Sequence, residues 1–123
     1  MRLLDSNILI YAGQPEHAFL DPWMSPATAQ ISAISIPEVF GYPGLSAEDE
    51  AIFEEWFAEL TVHAVTEPIL RRAAVLRRQR RMKLGDSIIA ATALAIRAEL
   101  VTRNADDFRH IANLHIVNPF EGR

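Results

Sequence analysis

The sequence has no cysteine. Disulfides, thiolate metal centres and cysteine nucleophiles are therefore excluded, and the chain suits a reducing cytoplasm. No apolar run is long enough to cross a bilayer, so no membrane partner is expected. The opening "MRLLDSNILIYAG" does not read as a secretory leader, because an acid interrupts its apolar run and no small-residue cleavage site follows. Internal repeats, low-complexity tracts and linkers are also missing. With 123 residues, a single domain spanning 1–123 is expected. An excess of basic charge is lacking too. The formal net charge is −4, whereas chains that grip long nucleic acid by charge alone are usually basic.

Hydrophobic residues are plentiful, at 50% of the chain, enough for a packed core and too many for disorder. "RLLD" (2–5) reads as a strand, and "SNILIYAG" as a helix stopped by Gly13. The prolines of "EHAFLDPWMSP" forbid a long helix there. "QISAIS" (30–35) alternates as a second strand, and "IPEVFGYPG" follows as a short helical turn. Ser46 and Asp49 resemble a capping box ahead of a helix with Ile52, Phe53, Trp56, Phe57 and Leu60 on one face. "TVHAV" (61–65) is a third strand. Thr66 caps "EPILRRAAVLRRQRRMK", which is apolar at Ile69, Leu70, Ala73 and Leu76. "DSIIAATALAIRAE" is a helix apolar almost all round. "LVTR" (100–103), a short helix "ADDFRHI" and a last strand "HIVNP" (115–119) complete the chain. Strands alternating with helices predict an α/β fold with a mostly parallel sheet.

In such sheets function gathers beyond the C-terminal ends of the strands. Asp5 ends the first strand, Glu38 follows the second, and Asn104, Asp106 and Asp107 follow the fourth. Asp86 opens the apolar helix that feeds the fourth. Each has an ordinary explanation. Asp5 and Asp86 are good N-caps, Glu38 suits a solvated turn, and Asp106 and Asp107 suit a first helical turn. As a set they point elsewhere. Crowded carboxylates raise one another's pKa unless a cation lies among them. Oxygen donors without cysteine or paired histidine suit Mg²⁺ or Mn²⁺.

"LLDSNILIYA", "ISIPEVFGY", "LGDSIIAATAL" and "LVTRNADDF", followed by "HIVNPF", stand in the order and spacing of a known family. The whole chain resembles the PIN-domain ribonucleases, and most closely the VapC toxins of type II toxin–antitoxin systems. The resemblance implies a PIN-like α/β/α sandwich and Mg²⁺- or Mn²⁺-dependent cleavage of single-stranded RNA. Asp5, Glu38 and Asp86 match three of the family's metal-holding acids. The fourth place carries Asn104, which brings an amide oxygen but no charge, and Asp107 is the substitute carboxylate. The catalytic set implied is Asp5, Glu38, Asp86 and Asp107, with Asn104 added as a metal ligand. Ser6 and Thr102 are expected to hydrogen-bond the carboxylates. The same resemblance implies a homodimer and a VapB-type antitoxin, seated by analogy on the N-terminal helices, with a basic side chain of the antitoxin in the acid pocket.

Arg71, Arg72, Arg77, Arg78, Arg80, Arg81 and Lys83 hold more than half of the 12 basic residues. They read either as a solvated helix face or as a track for the RNA backbone centred on Arg77, Arg78 and Arg81. Two rival functions fit the chain less well. One is a non-catalytic PIN-like module that binds RNA or protein, favoured only by Asn104. The other is a phosphatase working through Asp5, which would want a second acid where Asn7 stands.

Overall fold

The computed structural model describes residues 1–123. Five short strands, β1 (Arg2–Leu4), β2 (Ala29–Ser32), β3 (Thr61–His63), β4 (Glu99–Val101) and β5 (Ile116–Val117), form one sheet. Their order is β3-β2-β1-β4-β5 and every pairing is parallel. The helices are α1 (Ser6–Ala12), α2 (Ser35–Phe40), α3 (Ala47–Glu59), α4 (Glu67–Gln79) and α5 (Leu84–Ile96). A 3-10 segment at Pro15–Met24 contains Pro22 and breaks its helical geometry at His17.

The period-2 alternation of strand side chains builds the layers. Leu3 and Leu100 enter a core formed by Ile69, Ala73 and Leu76 of α4, by α5, and by Phe108 and Ile111. Their neighbours Leu4 and Val101 point the other way, into a core with Ile8, Leu9, Val39, Phe53 and Leu60. Helices therefore cover both faces, which is the expected α/β/α sandwich. Ile88 to Ala93 of α5 are all buried, which explains a helix without a polar face. Its Thr92 hydroxyl donates to the Ile88 carbonyl at 2.7 Å and so needs no outside partner. Ser46 accepts from the Asp49 N–H at 3.0 Å, and Thr66 from the Ile69 N–H at 3.4 Å, so both expected caps form.

Several boundaries differ from the sequence reading. β2 stops at Ser32, whose hydroxyl accepts from the Ile34 N–H at 3.1 Å and turns the chain early. Ser35 therefore lies in α2 and not in a strand. α4 ends at Gln79 because Arg80 is extended, at φ −162° and ψ 146°. α5 starts at Leu84, so Asp86 is its third residue and not its cap. Leu70 stays 44% exposed, so it faces away from the core. "ADDFRHI" shrinks to one 3-10 turn, Ala105–Asp107.

Candidate metal centre and nucleic-acid cleft

The strand order reverses between β1 and β4, and a crevice is expected beyond the carboxyl ends of that pair. Asp5 follows β1 and Thr102 follows β4. The Thr102 hydroxyl donates to Asp5 Oδ2 at 2.8 Å, across 97 positions of sequence. Asp5 holds the N-cap position of α1, yet its side chain makes no cap hydrogen bond. The ordinary explanation for Asp5 thus fits its backbone and not its carboxylate. The carboxylate is buried, at 4% exposure.

Glu38 reaches the same crevice from α2. Ser6 donates to Glu38 Oε1 at 2.7 Å and accepts from Ser35, also at 2.7 Å. Gly85 makes room for this carboxylate. A Cβ on Gly85 would lie 2.2 Å from Glu38 Oε2. Neither Gly85 nor Ser35 stands out in the sequence as part of a site. A serine one helical turn before Glu38 was the signal available.

Asp5, Glu38 and Asp86 line one cleft of about 510 Å³, together with Ser6, Tyr11 and Lys83. Asp86 and Lys83 also line a second recess of about 220 Å³ with Arg80, Arg81 and Asp107. Asn104 is in neither. It is exposed and borders a third recess with Asp106, Asp107 and Arg103. Arg77 and Arg78 lie outside all three, exposed on the last turn of α4. The largest cavity, about 710 Å³, lies between α4, the end of α5 and residues 111–115, and none of these acids lines it. Size alone would therefore point away from the carboxylates.

The electrostatics tie the acids together. Burial pushes the Asp5 carboxyl up to about 6, and the charges of Asp86 and Glu38 add to it against the Thr102 hydrogen bond. Asp86 is raised as well, first by burial and then by Asp107, with Lys83 opposing and Glu38 assisting. None of the four carboxylates is in a salt bridge. One buried acid, a half-buried one and two exposed ones, none in a salt bridge and all offering hard oxygens, fit a divalent cation of the Mg²⁺ or Mn²⁺ kind. No three Asp, Glu or His side chains are gathered into a finished ligand set.

The PIN domain family matches residues 2–114. No curated protein matches the chain. A toxin–antitoxin complex from Klebsiella pneumoniae contains a chain 32% identical, with a TM-score of 0.77, covering 98% of this chain and 99% of that one. FitAcB from Neisseria gonorrhoeae is 23% identical with a TM-score of 0.78, covering 98% and 99%. DNA-bound VapBC from Salmonella typhimurium is 22% identical with a TM-score of 0.78, covering 96% and 97%. The last two show the fold alone. The chain belongs to the PIN-domain family. Within that family its likeness is to the VapC-like toxins.

Proposed function

We propose that this chain is the ribonuclease toxin of a toxin–antitoxin pair, cutting single-stranded or loop RNA with a divalent cation. Membership in the PIN-domain family supports the coarser reading, a toxin nuclease. The observation that supports the divalent cation is Asp5, a buried carboxylate with two further acids facing it and no cation of the protein paired with it; RNA as the substrate rests on the family resemblance.

Asp5, Asp86 and Glu38 would hold Mg²⁺ or Mn²⁺, and Asp107 completes the charge from the second recess. A cation held there would supply Lewis-acid polarisation of a phosphodiester and of the attacking water. The chain supplies the rest. Thr102 fixes the direction of Asp5, and Ser6 fixes that of Glu38. Glu38 is the most exposed of the three acids in the main cleft, so it orients the attacking water and accepts its proton. The water oxygen bonds to phosphorus as the bond to the 3′ oxygen breaks, and the leaving 3′ oxygen takes a proton from solvent, giving a 5′-phosphate and a 3′-hydroxyl. Lys83, Arg80 and Arg81 flank Asp86 and hold the RNA backbone beside the acids, which reconciles a chain of net charge −4 with a polyanionic substrate. Arg77 and Arg78 extend that track along α4.

The partners follow from the same reading: a VapB-type antitoxin, a second copy of the chain, and a cytoplasmic setting. No helix is long and apolar enough to cross a membrane. The decisive experiment is incubation of labelled total bacterial RNA with purified protein in Mg²⁺, Mn²⁺ or EDTA, beside Asp86→Asn. Discrete cuts are expected that need metal and vanish in the variant. Cutting by Asp86→Asn at the parent rate would refute the site. Metal-independent RNA binding without cutting would favour the non-catalytic module.

A further inference from the structure

Arg103 directly follows Thr102, which holds Asp5, yet it pairs with none of the acids around it. Arg109, not Arg103, takes Asp106 at 3.2 Å and Glu121 at 3.5 Å. The Arg103 guanidinium instead stands over two rings, 4.3 Å from the centroid of Phe120 and 4.9 Å from that of Tyr11. These rings belong to a larger cluster. Tyr11 and Phe120 meet edge to face at 5.3 Å, and Phe19 meets Phe120 in the same way at 5.0 Å. All three are only half-buried.

The cluster is built and not accidental. The Asn118 side chain donates to the Arg103 carbonyl at 3.3 Å and accepts from the Phe120 N–H at 2.9 Å. One amide thus fixes the cation and the ring beneath it. Tyr11 also lines the cleft that contains Asp5, Glu38 and Asp86, while Arg103 borders the recess beside Asp107. The cation is therefore held by aromatic faces at the rim of the acid cleft, with its charge unspent.

We propose that Arg103, seated on Tyr11 and Phe120, is a nucleotide subsite for the single-stranded RNA that enters the cleft. The Arg123 guanidinium already covers Phe19, 3.8 Å from its centroid, so the Arg103 donors bind a backbone phosphate next to the one at the acids and the exposed guanidinium plane receives its base. Guanidinium planes and exposed aromatics are the surfaces on which unpaired bases stack. Ring seating keeps the cation from collapsing onto Asp106 or Asp107. This inference rests on the RNA reading given above, and it assigns Arg103 a binding role, with no part in bond cleavage.

The test is fluorescence anisotropy with a labelled single-stranded RNA across a salt series, in an Asp86→Asn background so that cleavage does not intervene. Arg103→Ala should bind about tenfold more weakly, and its slope of log affinity against log salt should be shallower by about 0.7, one phosphate contact on a single strand. Arg103→Lys should recover the slope while leaving affinity below the parent. Phe120→Leu should keep the slope and lose affinity. Arg103→Ala with unchanged affinity and slope would overturn the subsite while leaving the nuclease reading untouched. Wild-type protein that binds RNA through Arg103 but never cuts it would do the reverse. A parent that binds no RNA would overturn both.

Discussion

Gly85→Ala separates the site from the fold. In a helix this exchange normally stabilises, by about 0.5–1 kcal/mol. Nothing in the backbone forbids it, since Gly85 does not have a positive φ. The obstacle is a side chain, because the new Cβ would stand 2.2 Å from Glu38 Oε2 and 3.0 Å from its Cδ. Glu38 must swing away and give up the Ser6 hydroxyl. Glu38 is exposed, so its carboxylate rehydrates, and the lost hydrogen bond costs roughly 0.5–1.5 kcal/mol. Ser6 keeps its contact with Ser35. The two changes nearly cancel, and the melting temperature should move by less than about 5 °C.

Activity should respond very differently. Displacing a reacting group by an ångström or more costs on the order of a hundredfold. Metal-dependent RNA cleavage should therefore fall at least that far in a protein that melts normally. Glu38→Ala should show a similar loss, and the double variant should lose no more than either single one, because both act through the same carboxylate. Gly85→Ala with wild-type turnover would show that Glu38 does no chemistry from its present place. Losses that multiply in the double variant would show that Gly85 acts by another route.

Asp5→Asn should stabilise the metal-free protein at pH 7.5. A carboxyl raised from 3.8 to about 6 binds its proton more tightly folded than unfolded, so stability falls as pH rises through that window and stays lower above it, by about 3 kcal/mol. Thermal melts in EDTA from pH 4 to 8 should show this slope in the parent and a shallower one in the variant, where the raised Asp86 still contributes; equal slopes would refute it. Added Mn²⁺ should raise the parent's melting temperature at pH 7.5 and leave Asp5→Asn unmoved, since only a ligand of the native state stabilises. Arg81→Ala, in the recess beside Asp86, should weaken RNA binding more than Arg78→Ala and flatten the salt dependence. Asp107→Asn should lower Mn²⁺ affinity measured by calorimetry more than Asn104→Ala does, because Asp107 acts on Asp86 and Asn104 borders neither acid recess; the opposite order would make Asn104 the fourth ligand.

The order of elements was legible because it rests on local patterns. Alternation marks β2 and the 3.6-residue stripe marks α3, and both helices expected to be capped by Ser46 and Thr66 are. Boundaries were less legible where side chains compete with the backbone. Ser32 ends β2 by bonding its own turn, a choice the alternating pattern conceals. The run Arg77 to Lys83 looks helical residue by residue, yet α4 stops at Gln79, where four arginines within five positions, from Arg77 to Arg81, crowd like charge. The acids could be placed at strand ends from sequence, but not their hold on one another. Thr102 with Asp5 and Gly85 with Glu38 are contacts across 97 and 47 positions, and no local period encodes them.

The opening ambiguity between cap and ligand turns on the sign of a pKa. A carboxylate that caps a helix is stabilised in its charged form by N–H donors and the helix dipole, which hold its pKa down. Asp5 and Asp86 both stand at helix starts, and both are raised. Burial and facing acids outweigh the Thr102 and Ser6 hydrogen bonds at Asp5 and the Lys83 charge at Asp86. The Asp5 side chain makes no cap hydrogen bond, and Asp86 is not the cap residue of its helix. In the metal-free protein these charges therefore oppose folding, and the proposed cation would relieve both. The gain is unequal. Asp5 is enclosed and has the most to lose as an uncompensated charge, whereas Glu38 is exposed and can rehydrate. Metal affinity should accordingly depend most on Asp5 and least on Glu38, while turnover depends on both.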